Sequence, residues 1–222
     1  MAIKMIDTVY QTVLALANKE QRGYITPQEF NLFAKHAQDE IYEQYFYDLN
    51  QAKRRPGSET VNSDEQSNIE NKLARFIKID SANGNGLVLP SDFYKVSAVT
   101  LNGKLAEGMS REEQHKYNSP LTKPFFIAPL YYILGNFVNV KPDGEVSFSY
   151  YRKLSSPNWG YVIVGEKPLY ASGRSTDFDL HRSEQKNLVI KILQLAGISI
   201  KDYNIAQASA QKELSVKQQE KI

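Results

Sequence analysis

A chain of 222 residues, 41% hydrophobic and 23% charged, has ordinary globular composition and enough material for one large domain or two small ones. A formal net charge of +2 excludes a global electrostatic demand for nucleic acid or an anionic membrane, and no third of the chain forms a basic arm. With no cysteine, disulfides, thiolate-held zinc and thiol chemistry are excluded together.

The opening "MAIKMIDTVYQTVLALANKEQ" lacks the continuous apolar core and small-residue cleavage site of a signal peptide. No apolar run approaches the ~20 residues of a membrane span. Fourteen Tyr and ten Phe stand against a single Trp. Tyrosine suits surfaces packed on one side and wet on the other, as at subunit contacts, and equally half-buried strands.

Ile6, Val9, Tyr10, Val13, Leu14 and Ala17 recur at three- and four-residue spacing and predict a first amphipathic helix. A second begins at "TPQE": Thr26 is its N-cap, Pro27 occupies the first helical position, and Glu29 closes a capping box. Phe30, Phe33, Ala37, Ile41, Tyr45, Leu49 and Ala52 carry its apolar stripe to about Arg55. After the polar "RRPGSETVNSDEQS", Ser63 and Gln66 predict the start of a third helix, with Ile69, Leu73, Phe76 and Ile77 on its buried face.

The period then changes from helical to alternating. "IKIDSANGNGLVLPSDF" reads as a flexible seam at Asn83–Gly86 that leads into a β-domain through Pro90. Asn102-Gly103 predicts a tight hairpin, because a type I′ turn needs positive φ twice. A short capped helix is expected from Ser110 to Glu113. "PFFIAPLYYILGNFVNVKPDGEVSFSYYRK" predicts three strands turning at Gly135-Asn136 and at Pro142-Asp143-Gly144. Within the last of these, Val146, Phe148 and Tyr150 face one way and Ser147, Ser149 and Tyr151 the other. Residues 153–178 read as an extended loop with short strands at Tyr161–Val164 and Leu169–Ala171.

Helix returns near Leu180, with Leu188, Val189, Ile192, Leu193 and Ala196 of buried type and Gly197 as the C′ residue. Ser199 and Asp202 are expected to cap a last helix, whose apolar content fades after Leu214. The predicted fold class is therefore α+β. A discontinuous helical bundle (residues 1–82 and 179–222) holds an inserted antiparallel β-domain (83–178) with an extended loop at 153–178.

No catalytic, cofactor or metal site emerges from the residues. His36, His115 and His181 are widely separated, and His36 with Glu40 at i, i+4 lacks a second histidine for a zincin pattern. His36 beside a helical ion-pair partner is the better reading. Aligned on Asp80 as a calcium loop, the third, fifth and twelfth positions are Ala82, Gly84 and Ser91, which supply too few oxygen ligands. As a phosphate turn, the third glycine position holds Leu89, and no helix follows. Glu40 with Glu43, or Glu112 with Glu113, reads as solvated helix surface rather than as an acid/base pair. Lys53, Arg54 and Arg55 form the one compact basic cluster, explained by the helix macrodipole and offering at most a weak phosphate contact.

Four short motifs resemble the head–tail connector proteins of tailed bacteriophages, most closely the adaptor, or tail-tubular-A-like, proteins of short-tailed phages. They are Leu89-Pro90-x-Asp92-Phe93, Pro129-x-Tyr131-Tyr132-x-x-Gly135, Val140-x-Pro142 and Tyr150-Tyr151-Arg152. The α–β–α order, with "DFDL" and a long apolar helix after the sheet, extends the resemblance over most of the chain. It implies a homo-oligomeric ring, usually dodecameric, docked beneath the portal protein in the virion neck and assembled in the host cytoplasm. Such a ring carries the next tail protein, and genomic DNA passes through its channel without sequence-specific contact. The resemblance also implies that the C-terminal segment, with Gln207, Gln211, Leu214, Val216 and Ile222, reaches the portal. It implies neither enzymatic activity nor a cofactor. Another neck or tail ring component, or a DNA-binding packaging accessory acting through Lys53, Arg54 and Arg55, remains the alternative.

Overall fold

The computed structural model describes residues 4–19, 24–54, 59–110, 113 and 128–197. The fold is α+β, with helices at both ends flanking a region of mainly antiparallel sheet. It divides into two compact units: one combines Met1–Lys72 with Leu154–Ile222, and the other is Leu73–Lys153.

In the first unit, helix α1 (Met5–Lys19) places Ile6, Val9, Tyr10, Val13 and Ala17 on one buried face, as their spacing requires. Helix α2 (Pro27–Arg54) starts at the predicted capping box. The Thr26 N–H donates to Glu29 Oε2 at 2.9 Å, and the Glu29 N–H donates back to Thr26 Oγ1 at 3.3 Å. Along α2, Phe30, Ala34, Ala37, Ile41, Tyr42, Tyr45, Phe46, Leu49 and Ala52 are buried. Helix α4 (Gln185–Leu195) completes the core with Leu188, Val189, Ile192 and Leu193, packing on both α1 and α2. Each of these aliphatic side chains contributes roughly 1.5–3 kcal/mol through burial. Gly197, at φ +70°, ends α4 as expected, its N–H donating to the Gln194 carbonyl at 3.0 Å.

Helix α3 (Glu59–Ala74) begins before Ser63, so Ser63 and Gln66 lie inside it instead of capping its start. The helix continues past the boundary between the units, which falls at Leu73.

The second unit is a six-stranded sheet built around one long strand. Strand β6 (Phe137–Arg152) is bordered by β1 (Ile77–Val88) along both of its halves. Its C-terminal half also pairs with β2 (Phe93–Leu101), and its N-terminal half with β5 (Leu130–Leu134), all antiparallel. Short strands β3 (Lys104–Leu105) and β4 (Glu107–Gly108) add to β2 and, in parallel, to β5. Leu87, Val99, Leu101, Val138, Val140, Val146, Phe148 and Tyr150 form one buried face. Ser147, Ser149 and Tyr151 point the other way, as their alternation predicts.

Two expectations for this region are corrected. Asn83–Gly86 is not a seam: β1 runs straight through it, with Asn83 paired to Glu145 and Gly84 to Gly144. Pro142-Asp143-Gly144 is not a turn either, and one strand replaces the predicted two. Opposite Asn85, the residues Val140–Asp143 form a bulge that bends β6 without reversing it, and the Lys141–Pro142 peptide is cis. Gly144 sits under side chains of the β2–β3 turn, where a Cβ would push on Leu101 Cδ1 at 2.9 Å and Asn102 Nδ2 at 3.0 Å.

The division at Leu73 and Leu154 replaces the predicted bounds at 83 and 178. Sheet pairing already begins at Ile77, and residues 154–178 belong with the helices, not with the β-domain. Those residues hold their own two-stranded hairpin, β7 (Tyr161–Val164) with β8 (Lys167–Tyr170). Gly165 and Glu166, both at positive φ, make its type I′ turn. Asn102-Gly103 makes the same turn between β2 and β3, while Gly135 alone has positive φ in the β5–β6 turn, the type II′ pattern. Among the described residues, no helix is long and apolar enough to cross a membrane.

Candidate functional site

The first and last motifs of the sheet unit meet at Asp92, where Asp92-Phe93 faces Tyr150; the other two lie in the β5–β6 pairing. Pro90 stiffens the link from β1 to β2, and the Phe93 N–H closes a turn onto the Pro90 carbonyl at 3.0 Å. This aims the Asp92 carboxylate at two partners. Lys78 Nζ donates to Oδ2 at 2.6 Å, and the Tyr150 hydroxyl donates to Oδ1 at 3.1 Å. The Asp92 carbonyl accepts from the Lys153 N–H at 2.7 Å, fastening the end of the sheet. Phe93 lies 5.9 Å from Phe148 and 6.1 Å from Tyr150, ring centre to ring centre.

The hydrogen bond from Lys78 is the main influence holding the Asp92 carboxyl below its usual range, with the Tyr150 bond helping. Burial, then the bond to Asp92, pushes the Tyr150 hydroxyl up to about 12. Both shifts fix each group in its resting form at neutral pH, whereas acid/base catalysis needs a value near the operating pH. The cluster is a structural knot. Tyr131, from the second motif, covers Gly108 so closely that a Cβ there would sit 2.9 Å from its hydroxyl.

In the helical unit, residues 154–184 lie across α1 and α2 as a strap held by polar side chains. Asp177 caps α1 from far along the chain, accepting from the N–H groups of Met5 at 3.0 Å and Ile6 at 2.8 Å. Gln38 is fully buried on α2; it donates to the Ser155 carbonyl and accepts from the Asp179 N–H, both at 2.9 Å. Asn31 accepts from the Trp159 N–H at 2.7 Å. The Trp159 indole N–H donates to Asp7 at 3.0 Å, and its ring packs on Tyr10, Tyr161 and Tyr170. Burial, reinforced by Tyr24, raises the Tyr10 hydroxyl well above its ordinary value.

At the end of the strap, Glu184 is 5% exposed in its side chain and takes Lys72 Nζ at 3.0 Å and Asn187 Nδ2 at 2.7 Å. Burial pushes its carboxyl up, but the bonds from Lys72, Asn187 and Tyr45 outweigh that and hold it below its usual range.

Asp7, Asn31 and Gln38 did not stand out in the sequence, and Asp177 and Asp179 did so only as the "DFDL" of the resemblance, with no capping role attached. A polar residue on an otherwise apolar helix face, as at Gln38 between Ala34 and Tyr42, was the only available signal.

The basic cluster is only partly visible: Arg54 is exposed at the last position of α2, nothing is described for the Lys53 side chain, and Arg55 lies outside the described residues. Gln207, Gln211, Leu214, Val216, Ile222, Ser199, Asp202, Glu112 and His115 also lie outside them. At Ser110–Glu113 the predicted reciprocal contacts form: the Ser110 N–H donates to Glu113 Oε2 at 3.0 Å, and the Glu113 N–H to Ser110 Oγ at 3.4 Å. Glu40 pairs with Lys191 of α4 in place of the expected His36. His181 is used locally, accepting from the Ser183 N–H. Among the described residues, no group of three His, Asp or Glu could hold a metal ion.

What the described surface does offer is apolar area. The β7–β8 hairpin leaves Val162, Ile163, Val164 and Leu169 exposed, and the outer face of the large sheet leaves Val88, Leu134 and Phe137 exposed. Such clusters mark contact surfaces. No protein-family model matches the chain, and no curated protein sequence matches it.

Proposed function

We propose that this chain is a non-enzymatic virion structural protein: a head-to-tail adaptor that forms a ring on the portal, extends the DNA channel and carries the next tail protein. The observation that carries this reading is the convergence of the connector-like motifs on one sheet. Asp92 and Phe93 meet Tyr150 across the sheet, while Tyr131, Gly135 and Val140 build the adjoining β5–β6 hairpin. The four motifs thus build two parts of one sheet, the Asp92 cluster and the β5–β6 pairing. The α–β–α order and the exposed apolar faces of both units also support an assembly component.

Under this reading the segment with Gln207, Gln211, Leu214, Val216 and Ile222 reaches the portal, and the chain's small net charge lets DNA slide past without being gripped.

Antibody labelling of purified virions in electron microscopy tests the placement. Label at the junction of head and tail is expected. Label further down the tail would favour another ring component. Absence of the chain from virions would refute the proposal. Duplex binding that falls steeply with salt and is lost on Lys53→Ala, Arg54→Ala and Arg55→Ala would favour a packaging accessory instead.

A further inference from the structure

The β7–β8 hairpin is apolar on both faces, an unusual state for a two-stranded sheet, which is marginal in water by itself. Direct pairing sets its faces. Tyr161 with Tyr170 and Ile163 with Pro168 share one side, and the two tyrosines anchor that side by stacking on Trp159. Val162 with Leu169 and Val164 with Lys167 share the other. On that free face Val162, Val164 and Leu169 are 44%, 57% and 53% exposed.

The sheet unit carries a second bare surface. Phe137 pairs with Val88 on one side and with Leu134 on the other, so the three side chains form one row across β1, β6 and β5. The row lies on the face opposite buried Leu87 and Val138, and its members are 62%, 51% and 51% exposed for Val88, Phe137 and Leu134.

We propose that the free face of this hairpin in one copy seats on the Val88–Phe137–Leu134 row of the next copy, forming the lateral contact of a head-to-tail ring. The inference rests on the ring reading above and names the surfaces that reading needs. A ring requires two different patches on every subunit, one to give and one to receive. These two suit each other: both are apolar, similar in extent and nearly free of charge. On the hairpin, Lys167 shares the free face with Val164 and Glu166, of opposite sign, stands in the turn; the row is flanked by Asn136, Asn139 and Tyr132, with Lys141 further along the same face of β6. Each surface carries a single lysine, Lys167 and Lys141, fewer basic residues than nucleic acid or anionic lipid would require.

The area argues the same way. Six half-exposed apolar side chains amount to on the order of 500 Å² of surface. A free-standing pair buries roughly 1,200–2,000 Å² in total. The contact is thus too small to hold a dimer in dilute solution, and suits a ring in which every copy is gripped from both sides.

The absence of native cysteine allows a direct test. The full chain carrying Leu169→Cys and Phe137→Cys is oxidised mildly over a range of concentrations, beside a control carrying Leu169→Cys and Ile79→Cys. Ile79 is as bare as any row member but lies nine residues from Val88 along β1. A ladder of disulfide-linked dimers, trimers and higher species, at least about tenfold above the control, is expected. Equal yields, or no ladder in either, overturn the contact. Higher oligomers in native mass spectrometry without a cross-link between positions 169 and 137 would overturn it while leaving the ring reading intact; that reading fails separately, in the virion labelling. Protection of the single variant Leu169→Cys from maleimide by phosphatidylcholine or phosphatidylserine vesicles would make the hairpin a membrane element and also overturn the proposal.

Discussion

Strand β6 and the β7–β8 hairpin are both rich in Val and Tyr, yet they end in opposite circumstances. In β6, every second residue from Val146 to Tyr150 is sealed into one core, the alternate face is Ser-rich, and neighbouring strands cover both edges. In the hairpin, apolar residues occupy both faces and the turn end is bare. The Val146–Tyr150 stretch is what a self-sufficient sheet looks like, whereas the hairpin, like the Val88–Phe137–Leu134 row at the other end of β6, keeps apolar side chains bare. The units that carry them differ in parallel. The large sheet is held by its backbone ladder and one apolar face, whereas the 154–184 strap is held by single polar side chains aimed at backbone groups.

The contrast predicts a gradation of mutational effects. Phe148→Ala, which empties the centre of the sheet core, should cost the second unit about 3–5 kcal/mol, read as loss of its amide protection in hydrogen exchange. Gly160→Ala should cost the helical unit about 1–3 kcal/mol, because a Cβ there would meet the Arg174 backbone at 2.6 Å. Loss of protection should then begin in the strap, leaving β6 unchanged.

Glu184→Gln should cost about 1–2 kcal/mol at neutral pH, since Lys72 is itself 44% exposed and the pair is partly solvated. The folded-state value of Glu184 lies below its unfolded one, so its contribution is present above the unfolded value, near 4.3, and is lost as pH falls through the folded value. Denaturant titrations of wild type and Glu184→Gln should therefore converge in acid. A constant gap at all pH values would contradict the ion-pair assignment. Val162→Thr, on the free hairpin face, should change the stability of the isolated chain by no more than about 0.5 kcal/mol while weakening assembly. A large stability loss from that change would mean the hairpin is already packed.

What the sequence revealed follows the same contrast. Features with a local cause were legible: the Thr26–Glu29 box, the Asn102-Gly103 turn, the αL Gly197 and the Val146–Phe148–Tyr150 alternation each depend on residues close in sequence. Features with a distant cause were not. Gly144 and Gly84 resemble turn residues, but each sits in a strand opposite the other. Asp177 capping α1 and Gln38 gripping Ser155 and Asp179 leave no periodic trace, because one polar side chain satisfies a backbone group more than a hundred residues away. The apolar hairpin was legible as strands, but its exposure could be known only once the rest of its unit was in place.

The most direct test of the proposed connector role is co-sedimentation of the full chain with the purified oligomer of the portal protein it is proposed to dock on. The account predicts a stable complex with one copy of this chain for each portal subunit or a fixed simple ratio to it, visible as a closed ring in electron micrographs. A chain that stays monomeric and sediments apart from the portal at micromolar concentrations would contradict it.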